Sequence, residues 1–188
     1  MTPRLARVLA DVMGDGEFAR AMERYADAFP AYRSRLPLIP LAHSRSRLTK
    51  TPAFEVIAMN WAPQSSSPIH DHGLSRCWVL MLEGRLDVQN YVCASADVGA
   101  GVVRLRKTEH LELVAGDVDH RLLPTELHYV HNPSRSDCAY SLQVYARPLE
   151  AYGIVDERTQ HRRNVAAICD LDLSRENFAV ESSPSPEN

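Results

Sequence analysis

Hydrophobic residues recur every three or four positions in the first part of the chain, up to about residue 33. That spacing places them on one face of a helix, and we expect such helices to pack against the main body of the protein. Pro30 and the segment RLPLIP end this region, because the residue before a proline disfavours helical geometry. The repeating positions are Leu5, Val8 and Leu9, then Phe18, Met22 and Tyr25.

The pattern changes at about residue 53, where short apolar or alternating segments are separated by Gly, Pro, Asn and Asp. FEVIAMNW alternates at Phe54, Val56, Ala58 and, less cleanly, Asn60, whereas CWVLML is apolar throughout. Short strands joined by such turns predict an all-β barrel or sandwich, and no helical pattern interrupts them as βαβ units would require. The remaining candidate strands are RLDVQNYV, GVVRLRK, HLELVAGD, ELHYVHN and YSLQVYARP.

These patterns divide the chain into three parts. Residues 1–40 are predicted to form a helical segment packed on the barrel, and residues 41–160 to form the barrel. Residues 161–188 are predicted to be a charged extension, and its final ESSPSPEN sequence to be solvated and disordered.

The composition of the 188 residues, 45% hydrophobic and 24% charged, is typical of a globular protein with one core. A net charge of −3 gives no reason to expect a nucleic-acid or membrane partner. No signal-peptide-like or membrane-spanning apolar run is visible, so we expect a cytoplasmic protein. Cysteines at positions 77, 93, 138 and 169 show no CxxC pairing and are interpreted as free thiols.

Candidate metal ligands come from the histidines. His70 and His72 stand two residues apart, so on a strand both rings would point to the same face. A lone HxH pair is a weak signal, but His128 and His131 form a second cluster in ELHYVHN. Three imidazoles from two strands would make a tripod that leaves other coordination positions open. The isolated histidines at positions 43, 110, 120 and 161 are interpreted as structural or surface residues.

The spacing around His70 resembles the first motif of the cupin superfamily. That motif is HxH, four residues, Glu, six residues and Gly, and this sequence reads His70-Asp71-His72, GLSR, Cys77, WVLMLE and Gly84. Every spacing agrees, but cysteine replaces the glutamate. The second cupin motif is matched loosely, by Gly116, Pro124, His128 and Asn132.

A cysteine in place of the glutamate resembles the cysteine dioxygenase family of thiol dioxygenases, as do the later blocks HYVHN and SLQVYARP. The resemblance covers roughly residues 43–156. It implies a mainly β fold, a cupin jelly-roll barrel with N-terminal helices packed on it. It also implies Fe(II) bound by His70, His72 and His128, with a small-molecule thiol and O2 as partners. Because three neutral imidazoles add no negative charge, the metal could accept a thiolate and also bind dioxygen.

The resemblance also suggests catalytic residues. Some family members join the cysteine at position 77 to the tyrosine of the SLxxY block, here Tyr145, through a thioether. A small buried Cys77 without any link is the alternative. Ser141 would begin the family's Ser-His-Tyr hydrogen-bond chain, but its middle residue is Gln143 here, which cannot titrate near neutral pH.

The residue that binds the substrate carboxylate is less clear in the sequence. Family members that take cysteine use an arginine within a Tyr-x-Arg block, but HSRSRLTK lacks the tyrosine. Arg45 and Arg47 both qualify for a bidentate clamp, and Arg76 is a third basic residue near the histidines.

The leading hypothesis is an iron-dependent thiol dioxygenase that converts a small carboxylated thiol, such as cysteine or 3-mercaptopropionate, to its sulfinic acid. Two alternatives stay open. One is a cupin enzyme with another metal or reaction, since zinc also accepts three histidines. The other is a non-catalytic cupin that binds a small molecule, since the fold alone does not determine function.

Overall fold

The protein consists of a short helical segment followed by β-strands. A computed structural model describes residues 16–97, 101–176 and 178. The first predicted helical positions and the predicted disordered ESSPSPEN end lie outside these residues. Within the described ranges, no helix is long and apolar enough to cross a membrane.

The helical segment comprises α1 (Gly16–Asp27), α2 (Phe29–Tyr32) and a 3-10 turn, Arg33–Arg35. The predicted apolar face is confirmed, since Phe18, Met22 and Tyr25 are buried. Pro30 does not end the helical region but lies in the first turn of α2. Proline is tolerated there because the missing N–H would have no partner within the helix.

Twelve strands in the described part of the chain form two six-stranded sheets. The strands are β1 (His43–Lys50), β2 (Phe54–Trp61), β3 (Ile69–His70), β4 (Arg76–Glu83), β5 (Arg85–Asp97), β6 (Val102–Val114), β7 (Val118–Arg121), β8 (Glu126–His131), β9 (Ala139–Ala146), β10 (Ala151–Val155), β11 (Arg162–Ala166) and β12 (Leu171–Asp172). Sheet one has the order β12-β1-β2-β9-β4-β7, and sheet two has the order β11-β10-β3-β8-β5-β6. Neighbouring strands are antiparallel except for β1 and β12.

All the predicted strand segments fall on strands, but two of them are joined into one, and β1, β7, β10, β11 and β12 were not predicted. GVVRLRK and HLELVAGD belong to one long strand, β6, which pairs with β5 along most of its length. Strand β1 was not predicted, because HSRSRLTK lacks the apolar alternation of a half-buried strand. Its polar residues Ser44, Arg45 and Ser46 are nevertheless buried. Strands β11 and β12 follow residue 160 and add an edge to each sheet.

Sheet one is buried on both faces, so all eight residues of β2 and of β9 are buried. One face packs against the helices, where Phe18 and Met22 join a cluster with Val56 and Leu142. The other face points to sheet two and forms the barrel core. That core contains residues of sheet one such as Ile57, Met59, Trp61, Cys77 and Tyr145, together with Leu86, Val88 and Val130 of sheet two.

Candidate metal centre

His70, His72 and His128 come together between the two sheets, and one ring nitrogen of each lies within 4.8 Å of the others. His70 on β3 is the direct cross-strand partner of His128 on β8. Their Nε2 atoms are 3.1 Å apart. Strand β3 ends at His70, so the turn after the strand, and not strand alternation, brings His72 to the same place.

All three imidazoles are uncharged at neutral pH. Burial lowers the pKa of His70 to about 4. Burial, and then the neighbouring His70, lower the pKa of His72 and His128 well below the usual value. The His70 Nδ1 lies 3.0 Å from the carbonyl oxygen of Pro68, so a proton on Nδ1 leaves Nε2 with a free lone pair.

The spacing of His70 and His128 fits a shared metal ion. Two nitrogen ligands that bind a metal at about 2.1 Å and near a right angle lie about 3 Å apart, which agrees with the His70–His128 spacing. No carboxylate belongs to the cluster, and no other cluster of three such donors occurs in the described ranges. The donor set is therefore three neutral nitrogens.

Asp71, between the two histidines of the HxH motif, anchors the turn that follows β3. Its Oδ1 accepts hydrogen bonds from the backbone N–H groups of Gly73 at 2.9 Å and Gly153 at 2.8 Å. Its Oδ2 accepts two from the Arg162 guanidinium, at 2.9 and 2.7 Å. Gly73 has φ +56°, a backbone conformation that suits glycine. Sequence reasoning did not identify Asp71 or Arg162, because they are 91 residues apart.

Arg45 is a buried cation beside the histidines, and its side chain comes from β1. It is 9% exposed, and its Nη1 donates to the Tyr145 hydroxyl at 3.3 Å. Its Nε and Nη2 are buried and have no hydrogen-bond partner in the described part of the chain. Asp170 binds the backbone N–H of Arg45 instead of the guanidinium. Because a buried cation is costly without a counter-charge, this arrangement suits an anionic ligand.

Tyr145 lies next to Arg45 and opposite Cys77, its cross-strand partner in the β4–β9 pair. Its hydroxyl donates to Gln143 Oε1. Burial raises the pKa of Tyr145, so the phenol keeps its proton. Burial likewise raises the pKa of the Cys77 thiol to about 12. The Ser141 hydroxyl accepts a hydrogen bond from the Trp61 indole at 3.1 Å, and no bond joins it to Gln143.

The other two arginines point elsewhere. Arg47 lies 3.0 Å from a carboxylate oxygen of Asp172 and 3.6 Å from one of Glu55. Arg76 is exposed and lies over the Trp78 ring, 5.3 Å from its centroid. Of the three, Arg45 is the arginine that faces the histidine cluster.

A small cavity of about 20 Å³ lies among these groups, with room for about one water molecule. It is lined by His70, His128, Arg45 and Tyr145, and also by residues that sequence reasoning did not place in the site. One of them is His43, for which the sequence analysis predicted a structural or surface role. Its ring centroid is 4.7 Å from that of Trp61. His43 and Arg45 stand two residues apart on β1, so their side chains lie on the same face of the strand. This spacing could have identified His43 as a wall residue. The other wall residues missed by the sequence reasoning include Trp61, Leu149 and Tyr152.

Curated proteins similar to this chain are cysteine dioxygenases. Human cysteine dioxygenase type 1 is 30% identical over 112 residues, which cover 60% of this chain and 54% of the human protein. The Danio rerio protein is 27% identical over the same lengths. The chain thus spans about half the length of the curated relatives it matches.

Two solved structures also align with the protein. A Klebsiella pneumoniae protein with a double-stranded β-helix domain has a TM-score of 0.49 and 15% identity, over 66% of this chain and 94% of its own. A cupin superfamily protein from Desulfitobacterium hafniense has a TM-score of 0.43 and 14% identity, over 61% of this chain and 85% of its own.

The family match is broader than these pairwise alignments. Residues 10–158 match the family described as cysteine dioxygenase type I, and they include both sheets' central strands and all three clustered histidines. The predicted jelly-roll barrel with packed helices is confirmed. The chain belongs to the cysteine dioxygenase type I family.

Proposed function

We propose that the protein is a non-haem iron thiol dioxygenase that converts a small carboxylated thiol to its sulfinic acid. The reaction RSH + O2 → RSO2H is balanced, since both oxygen atoms bond to sulfur and the thiol proton stays with the product. It consumes no external reductant. The observation that carries the proposal is a buried arginine, with two unpaired nitrogen groups, facing a cavity that three neutral histidines border or adjoin.

His70, His72 and His128 would hold the iron. Ferrous iron, when bound, supplies a cationic centre at which a thiolate and dioxygen meet. The protein's contribution is to keep its own anions away from the ligand cluster. Cys77 stands where other cupins have glutamate, and its pKa of about 12 keeps the thiol neutral.

Arg45 would bind the substrate carboxylate. Its unpaired Nε and Nη2 can donate two hydrogen bonds to a carboxylate, a geometry that suits guanidinium. The new ion pair would supply the counter-charge that the buried side chain lacks. Arg47 is a poorer choice, because it already lies against Glu55 and Asp172.

Tyr145 would orient the reacting groups. Its hydroxyl donates to Gln143 and accepts from Arg45, so the phenol oxygen stays at the cavity wall. A thioether between Cys77 and Tyr145 would fix the ring further, and their direct cross-strand pairing brings the two side chains within reach of each other.

The assay that tests the function is oxygen uptake by iron-loaded protein across a panel of thiols. We expect uptake with cysteine or 3-mercaptopropionate and a sulfinic acid product in equal amount, with no uptake from thiols lacking a carboxylate. His128→Ala should abolish uptake. Protein loaded with zinc, which has no redox chemistry, is the metal control. Absence of uptake with every thiol, despite full iron loading, would exclude the proposal.

A further inference from the structure

The cavity at the metal centre is too small for the proposed substrate. About 20 Å³ holds about one water, whereas a carboxylated thiol has several heavy atoms. Some wall residue must therefore move, or the cavity must open, when a substrate binds. Met59, Trp61 and Tyr145 in its wall are packed in the barrel core, since each is at most 2% exposed.

A much larger cavity of about 850 Å³ borders the same site, and we call it the outer groove. Its volume lies within the range of known ligand pockets. It reaches the surface, because Leu74 in its wall is 77% exposed. Its walls are mainly apolar with a few polar groups, and they include Leu74, Ser75, Leu105, Leu127, Arg147 and Arg162.

Tyr152 and Leu149 line both the small cavity and the outer groove. Leu149 is 5% exposed, and its backbone N–H donates to Glu55. Tyr152 is only partly buried, and it packs against the edge of the barrel core. Its ring is edge-on to His70, with 5.7 Å between centroids.

The Tyr152 ring can move without disturbing the sheet. Its backbone is held in β10 opposite Val165, and a change of side-chain rotamer breaks none of those bonds. Leu149 has less freedom because it is a buried member of the barrel core, whereas Tyr152 is only partly buried against that core. Tyr152 is therefore the movable part of the shared wall.

We propose that Tyr152 is the specificity-determining gate between the outer groove and the metal centre. Its ring turns aside to admit a thiol from the groove, and the displaced ring then forms one wall of the enlarged cavity. In that position the ring leaves no room for a bulky alkyl branch beyond the thiol and carboxylate, so the substrate class is small carboxylated thiols without such a branch. This inference rests on the proposed function for the identity of the ligand.

Truncation of the gate should change the selectivity. In Tyr152→Ala the small cavity and the groove become continuous, and an alkyl branch on the thiol can extend along apolar walls such as Leu105 and Leu127. Tyr152→Phe keeps the ring, so it should behave like the unaltered protein.

The test measures binding without turnover. Zinc-loaded protein is titrated by calorimetry with 3-mercaptopropionate and with 3-mercaptohexanoate, which differ by an alkyl branch. We expect the unaltered protein to prefer 3-mercaptopropionate, and Tyr152→Ala to lower that preference at least about tenfold, the usual effect of a methylene in a pocket. Tyr129→Ala is the matched control, because Tyr129 is also a partly buried tyrosine of sheet two but lines neither cavity.

The outcomes separate this inference from the proposed function. An unchanged preference in both Tyr152→Ala and Tyr152→Leu, each checked for a normal melting transition, overturns the gate. Failure of the unaltered zinc protein to bind either thiol also overturns it. A changed preference in zinc protein, together with no oxygen uptake by the iron protein, supports the gate and refutes the dioxygenase. Oxygen uptake by the iron protein, together with an unchanged preference in the zinc protein, supports the dioxygenase and refutes the gate.

Discussion

The guanidinium of Arg45 shows how one side chain can select a class of ligand. It is buried, it donates to the neutral phenol of Tyr145, and two of its nitrogens have no partner among the residues that the structure describes. A cation in such surroundings is stabilised by an anion that arrives from solution. Arg47, two residues along the same strand, is already neutralised by protein carboxylates.

Replacing the two arginines separately tests this difference. We expect Arg45→Lys to raise KM for the carboxylated thiol about 10- to 100-fold, because lysine keeps the charge but cannot make the bidentate contact. Arg47→Lys should leave KM within about threefold, since its carboxylate partners remain. Steady-state oxygen uptake measures both, and equal effects of the two substitutions would contradict the assignment.

Cys77 and Tyr145 form a second residue-scale feature, directly opposite each other on β4 and β9. After turnover with iron, thiol and oxygen, we expect the intact mass to fall by two hydrogen atoms in the linked fraction. Cys77→Ala should show no such loss. Peptide mapping should place the link between the two residues. A mass that matches the sequence after repeated turnover would refute the link.

At the scale of elements, the metal site depends on how strands and turns are held together. His70 and His128 are placed by the β3–β8 pairing, but His72 follows the end of β3. The Asp71 carboxylate ties that turn to β10 through Gly153 and to β11 through Arg162. The position of the third ligand thus depends on a strand that is 90 residues away in sequence.

Loosening this connection should weaken metal binding without unfolding the protein. We expect Arg162→Lys to lower the affinity for Fe(II) or zinc about 10-fold or more, as removal of partners behind a ligand set often does. Arg163→Lys is the matched control, because the neighbouring arginine is exposed and makes no contact with Asp71 in the described part of the chain. Competition with a metal-binding dye measures both. Equal metal affinities of the Arg162→Lys and Arg163→Lys variants would show that the turn does not depend on the Asp71–Arg162 contact.

At the scale of the whole molecule, sheet one separates two cores. The helices cover its outer face with Phe18, Met22 and Tyr25, and its inner face carries Tyr145, which lines the cavity at the candidate metal centre. The cluster beneath the helices and the barrel core use side chains from opposite faces of sheet one. Packing beneath the helices and the chemistry at the candidate site are therefore partly independent. This arrangement also explains why β2 and β9 are buried on both faces.

A change in the helical layer should therefore affect stability more than catalysis. We expect Met22→Ala, at a fully buried position, to lower the free energy of unfolding by about 2–5 kcal/mol and leave KM unchanged. Arg20→Ala on the exposed side of α1 should change the unfolding free energy by less than about 0.5 kcal/mol. Urea denaturation and steady-state assays report the two quantities. A raised KM with unchanged stability would contradict this separation.

The sequence by itself determined the β-rich fold, the apolar face of α1 and the HxH pair, because these depend on local spacing, whereas His128 was chosen through the family resemblance. Period-two and period-three-to-four patterns report burial directly, and the HxH pair carries its chemistry within three residues. It did not reveal strand β1, because its buried residues apart from Leu48 are polar and its pattern is therefore not that of a strand.

The tertiary structure decided the rest. The choice of Arg45 over Arg47, the Asp71–Arg162 contact and the shared wall at Tyr152 all depend on strands far apart in sequence. Spacing along the chain cannot show which carboxylates surround a cation, or which residue separates two cavities. Those properties arise only when the sheets pack, because burial and charge pairing are set by neighbours in space.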